Sequence, residues 1–83
     1  MAANNMETVT FDSPVSIGGK EVTELTIRRP YVRDMVAVGN VKNDIERDVR
    51  LIANLTDHTY DEIAGLSWDA YVQLQEKLGS FLS

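Results

Sequence analysis

The sequence predicts an α+β fold in which an N-terminal β-hairpin, or small meander, is packed by three to four short helices. Three observations lead there. The first third alternates polar and apolar residues around a Gly18-Gly19 pair. The stretch from Ile45 to Ala53 repeats apolar residues at helical spacing. Helix-start signals recur at Asn43, Thr59 and Ser67.

Taken in order, Thr8-Val9-Thr10-Phe11 and Pro14-Val15-Ser16-Ile17 read as strand segments, and Gly18-Gly19 supplies the positive φ angles of a tight hairpin turn. The returning strand runs from Glu21 to Arg28 and ends at Arg29-Pro30, with Leu25 and Ile27 on one face. Val22 falls off that period, which predicts a bulge or register shift near Thr23 or Glu24. Pro30 suits the opening of a first helical turn, with Val32, Met35 and Val36 on one side and a stop at Gly39-Asn40. Asn43 with Glu46 reads as a capping box. The helix behind it carries Ile45, Val49, Ile52 and Ala53 as one stripe and stops near Thr56-Asp57. Thr59 with Glu62 repeats the box for a short helix bearing Ile63 and Leu66 and closed by Gly65. Ser67 caps a terminal helix with Asp69 in its first turn, where a negative charge suits the helix dipole. Residues 1–6 read as a flexible N-terminus and 7–83 as a single α+β domain, with 7–29 the hairpin region and 30–83 the helical region.

Composition narrows the functional classes. Hydrophobic residues make up 43% of 83, too many for a disordered chain and enough for one small core. There is no cysteine, which excludes disulfides and thiolate metal sites. No apolar run is long enough to span a bilayer, and Met1-Ala2-Ala3-Asn4-Asn5 carries no secretory signature, so no membrane role is expected. Residues 1–42 hold five basic and five acidic side chains, whereas residues 43–83 hold three and eight, so the whole net charge of −5 sits in the second half. Such a surface repels phosphates and argues against nucleic acid as a partner.

Nothing in the chain assembles catalytic chemistry. His58 is the only histidine and lies in a polar segment between helices, which suits a surface or capping role better than a metal site. Asp57, Asp61 and Glu62 are accounted for as acidic residues at a helix start. No phosphate-binding loop and no nucleophile elbow occur. The expectation is a non-enzymatic protein with no cofactor, no metal and no small-molecule substrate. Arg28, Arg29 and Arg33 form one basic cluster, which reads as a solvated strand end or as an anion or partner contact. In the terminal helix, Trp68, Tyr71, Leu74, Leu78, Phe81 and Leu82 spread over more of the circumference than a small sheet covers. The three–four–three spacing of Tyr71, Leu74, Leu78 and Phe81 is also that of a helix-pairing seam. This face therefore reads as core, or as core plus an interface for a partner helix or a second copy.

The order of these features resembles a known family. Ile17-Gly18-Gly19-Lys20-Glu21-Val22 leads to Glu24-Leu25-Thr26-Ile27-Arg28-Arg29-Pro30. Later come Leu51-Ile52-Ala53-Asn54-Leu55-Thr56, Tyr60-Asp61-Glu62-Ile63, Leu66-Ser67 and Asp69, and the chain closes on Leu78 and Phe81-Leu82. Over residues 8–82 this is similar to the small tail assembly chaperones of Mu-like and related contractile-tailed bacteriophages and prophages. The resemblance implies a non-catalytic protein of the host bacterial cytoplasm that binds the long, aggregation-prone tape measure protein and is absent from the finished virion. It also implies that a longer, frameshifted form accompanies many such chains. A small structural tail or baseplate-associated subunit, or an acidic regulatory or inhibitor protein of a prophage, are the alternatives. The six apolar residues of the terminal helix, Trp68 to Leu82, are the expected partner contacts.

Overall fold

In the computed structural model, which describes residues 6–82 and side chains as far as Phe81, the elements follow one another without interruption. They are β1 (Met6–Ile17), β2 (Lys20–Arg28), α1 (Val32–Ala37), α2 (Asp44–Thr56), α3 (Tyr60–Ala64) and α4 (Trp68–Leu82). The class is the α+β expected, resolved among the described residues to one antiparallel hairpin and four helices. Of the N-terminal segment expected to be loose, residues 1–5 lie outside the described residues, while Met6 opens β1.

Gly18 and Gly19 close the hairpin at φ +59° and +80°, the pair of positive angles that matches the twist of the flanking strands. The two strand segments read before this turn are one strand, interrupted in its ladder. Thr10 pairs with Glu24 and Val15 with Val22, so Phe11–Pro14 bow out opposite Thr23. The expected irregularity is therefore at the expected height of the ladder, but on the facing strand. Pro14 has no amide hydrogen to give to a ladder, which favours the break there. The slip also explains why Val22 departs from the period of Leu25 and Ile27. An odd offset between the strands turns Val22 to the same side as the other two, and all three pack toward the helices. Gln73 of α4 holds the bowed segment in place. Its side-chain amide donates to the Thr10 carbonyl at 2.9 Å and accepts from the Asp12 amide at 3.2 Å, as a neighbouring strand would.

A two-stranded sheet is unstable alone. Here α4 lies over β1 and α2 over β2, giving a slab 19 Å thick in its shortest dimension. Ile27, Ile52, Ile63 and Leu74 are the largest fully buried side chains of the single core between these layers. The stripe predicted on α2 is buried except for Ile45, and Leu51 and Leu55 are buried as well. The extra burial arises because β2 covers one side of α2 while α3 and α4 cover another.

The caps follow the sequence closely. Asn43 Oδ1 accepts from the Glu46 amide at 2.9 Å, while the Glu46 carboxylate turns to Arg50, 3.0 Å away, instead of completing a box. Thr59 and Glu62 form the full reciprocal box at 3.1 and 2.9 Å. Ser67 Oγ accepts from the Ala70 amide at 3.3 Å. Helix α2 ends on Asp57, which is left-handed at φ 62° although it is not glycine. The geometry is strained for a residue with a Cβ, and its negative charge faces the negative end of the helix dipole. Asp57→Gly is accordingly expected to stabilise the domain by about 0.5–1 kcal/mol. Thermal unfolding should show a midpoint a few degrees higher; a lower midpoint would mean that the Asp57 side chain holds this turn.

Helix α1 lies where the sequence placed it, between Pro30 and Gly39, but its inward face is not the one expected. Val32, Met35 and Val36 do share one side, but that side faces solvent, with Val32 81% and Val36 70% exposed. What turns inward is Asp34, drawn to the end of β2 by Arg28 in a two-bonded ion pair at 2.8 and 2.9 Å. The Tyr31 amide donates to the same carboxylate at 2.7 Å. This pair fixes the rotation of the helix, and Val38 just beyond it enters the core.

Candidate binding surface

The helix expected to carry the contact is positioned by its own core residues. Tyr71, Leu74, Leu78 and Phe81 project from one side of α4 onto the hairpin and α2, and all four are buried. The breadth of the apolar face reflects two neighbours at an angle, β1 beneath and α2 alongside. Trp68 differs. It begins α4 and is 61% exposed, tilted against the Tyr71 ring with centroids 5.1 Å apart. The side chain of Leu82 lies outside the described residues.

Beneath Trp68 the start of α4, α3 and the first turns of α2 leave an apolar groove of about 310 Å3. Ile45, Val49, Ile63, Leu66 and Tyr71 line it together with Trp68. Its far wall is held by Asp48, which accepts from the Tyr71 hydroxyl at 3.3 Å and from Gln75 Nε2 at 3.2 Å. Burial, with the Asp48 carboxylate beside it, pushes the Tyr71 hydroxyl pKa up, so Tyr71 stays a neutral donor. Exposed Ile45 completes the rim. The sequence assigned Ile45 to a packing stripe, but the stripe outlasts the elements that cover it at the N-terminal end of α2.

The arginine cluster is engaged within the chain. Arg28 pairs with Asp34, and that bond with its charge holds the Asp34 carboxyl at about 2. Arg29 lies over the Phe81 ring at 5.2 Å and donates to the Phe81 carbonyl at 3.4 Å, a favourable place for a cation at a helix C-terminus. Arg33 lies 4.7 Å from the centre of the Tyr31 ring. Arg28 and Arg29 fit the reading of a solvated strand end, whereas Arg33 lies on α1. His58 Nδ1 sits 3.1 Å from Glu62 Oε1, within the cap of α3. The Thr59 amide, then His58, lower the Glu62 pKa. Among the described residues no group of histidines and carboxylates could hold a metal ion, and no helix is long and apolar enough to cross a membrane.

The chain is a small α+β scaffold with exposed aromatic and aliphatic side chains beside an apolar groove. The model of a family described as phage tail assembly chaperone proteins, E, or 41 or 14, matches residues 8–83, and the chain belongs to that family. Comparison with curated proteins and with solved structures yielded no match. A family of tail assembly chaperones implies a non-enzymatic role in building the phage tail, with phage proteins as partners.

Proposed function

We propose that this chain binds the tape measure protein of its phage in the host cytoplasm and keeps it soluble until the tail tube forms around it, without remaining in the virion. Family membership supports the assembly role. A long helical partner carries apolar stripes that need cover before assembly, and a chaperone needs matching apolar surface on a charged body. The observation that carries the reading is Trp68, 61% exposed at the mouth of an apolar groove in a chain of net charge −5. Aromatic side chains in such settings dominate binding energy. The contact is placed at this end of α4, on Trp68 and the Tyr71 wall below it, while Leu74, Leu78 and Phe81 act from inside by seating α4 on β1.

Co-expression of the tagged chain with the long helical tail protein encoded beside it tests the reading. The expected result is that the partner becomes soluble and is captured with the tag. A partner that stays insoluble, both with this chain and with any longer frameshifted product of the same gene, would overturn it.

A further inference from the structure

Trp68 stands between two grooves, one apolar and one that also carries carboxylates. On one side is the apolar groove walled by α2 and α3. On the other, the bowed segment of β1 and the first turns of α4 enclose about 430 Å3, lined by Asp12, Asp69 and Glu76 as well as by the apolar Phe11, Pro14 and Val15. Neither groove is lined by lysine or arginine, and among the described residues none of these three carboxylates is in an ion pair. The wall that carries Asp12 is fixed, because Gln73 grips the backbone on both sides of Phe11.

We propose that the two grooves and the indole between them form one docking surface for an amphipathic α-helical segment of the partner. An aliphatic or aromatic side chain of that segment enters the apolar groove, and lysines or arginines one turn away cross the Trp68 ring into the acidic groove. This rests on the reading that the chain holds a tail protein, and adds the chemistry of the segment that it takes. Charge complementarity selects the occupant: the acidic groove rejects an acidic segment and orients a basic one, and a cation passing over an indole face is attracted by the ring itself. Residues three or four apart on a helix lie on one side at ~5–6 Å, a spacing that suits straddling one aromatic ring. The apolar groove supplies the affinity and the carboxylates supply register and steering.

Trp68 is the only tryptophan, so its emission reports on this surface alone. The probes are two synthetic helical peptides without tryptophan, identical in their leucine positions, one with lysines on the flanking positions and one with glutamates. The lysine peptide is expected to shift Trp68 emission to the blue in a saturable titration, and the glutamate peptide to bind about tenfold or more weakly. Raising salt from about 50 to about 300 mM should narrow that gap. In the double variant Asp69→Lys, Glu76→Lys the preference should reverse, and Ile45→Glu should weaken both peptides, with far-ultraviolet circular dichroism confirming that each variant folds. Equal binding of the two peptides, no emission change for either, or an unchanged preference in the double variant would each overturn the proposal. Co-expression separates this from the parent reading. A chain that keeps its tail protein soluble while taking neither peptide refutes the surface and leaves the chaperone role standing. A chain that takes the lysine peptide at Trp68 but cannot hold the tail protein does the reverse.

Discussion

Replacing Leu74 with alanine is expected to lower stability by about 3–4 kcal/mol, whereas Trp68→Ala on the same helix should change it by no more than about 1 kcal/mol. Leu74 is fully buried where α4 packs on β1 and α2, and truncation leaves a cavity that its neighbours cannot fully close. A domain of this length holds roughly 4–12 kcal/mol in total, so the loss removes a large part of its margin. Urea titration measures both variants. A cost below about 1 kcal/mol for Leu74→Ala would mean that α4 is not seated as described. The contrast also says how partner contacts on α4 have to be mapped. A charge placed at Tyr71, Leu74, Leu78 or Phe81 meets the core of the chain itself, and loss of binding there would report unfolding. Trp68 and Ile45 are positions where binding and folding can be separated.

Much of this architecture was legible because local chemistry and global fold agree. Asn43, Thr59 and Ser67 each sit one residue before the helix that they cap, and each side chain accepts an amide hydrogen as its type implies. The glycine pair could hardly serve anything but a turn. The register of the hairpin was legible only in part. Val22 showed that the period breaks, yet a break in pairing belongs to two strands at once, and the sequence of one does not say which bows out. Proline at position 14 was the available clue. Rotation of α1 was not legible at all. A six-residue helix with valines on one side and an aspartate on the other looks core-facing through its valines, and an ion pair reaching back from β2 reverses it.

The candidate site divides the same way. The apolar residues of α4 are evident as a face, but a face does not state how many neighbours share it. The structure sets α4 against both β1 and α2, which accounts for most of its width and leaves Trp68 outside. The acidic groove has no sequence signature, because Asp12 comes to line it with Asp69 and Glu76 only through the bowed segment of β1. Sites that depend on tertiary closure of this kind lie beyond any reading of spacing.

Asp34→Asn should destabilise the domain by about 2 kcal/mol near neutral pH, and the difference from the wild type should shrink as the solution is acidified. The Arg28 guanidinium, by its two hydrogen bonds and its charge, holds the Asp34 carboxyl at about 2, below its ordinary 3.8. A folded-state value depressed in this way stabilises the fold fully above the unfolded value. That stabilisation disappears as pH falls from about 4 through 2, where the carboxyl protonates in both states. The Arg28 side chain is 31% exposed, so water screens part of the attraction, and the expected cost stays below that of breaking a fully buried pair. Urea midpoints at about pH 6 and about pH 2.5 would measure the difference, and an equal gap at both would show that the ion pair is not its source. Because the pair ties α1 to the end of β2, the region that loosens first should be α1. Trp68 lies at the head of α4, distant in sequence and packed against Tyr71, and its emission should report only the later, global loss. Far-ultraviolet circular dichroism and Trp68 emission that separate in the variant and coincide in the wild type would therefore show that the clamp acts away from the docking surface.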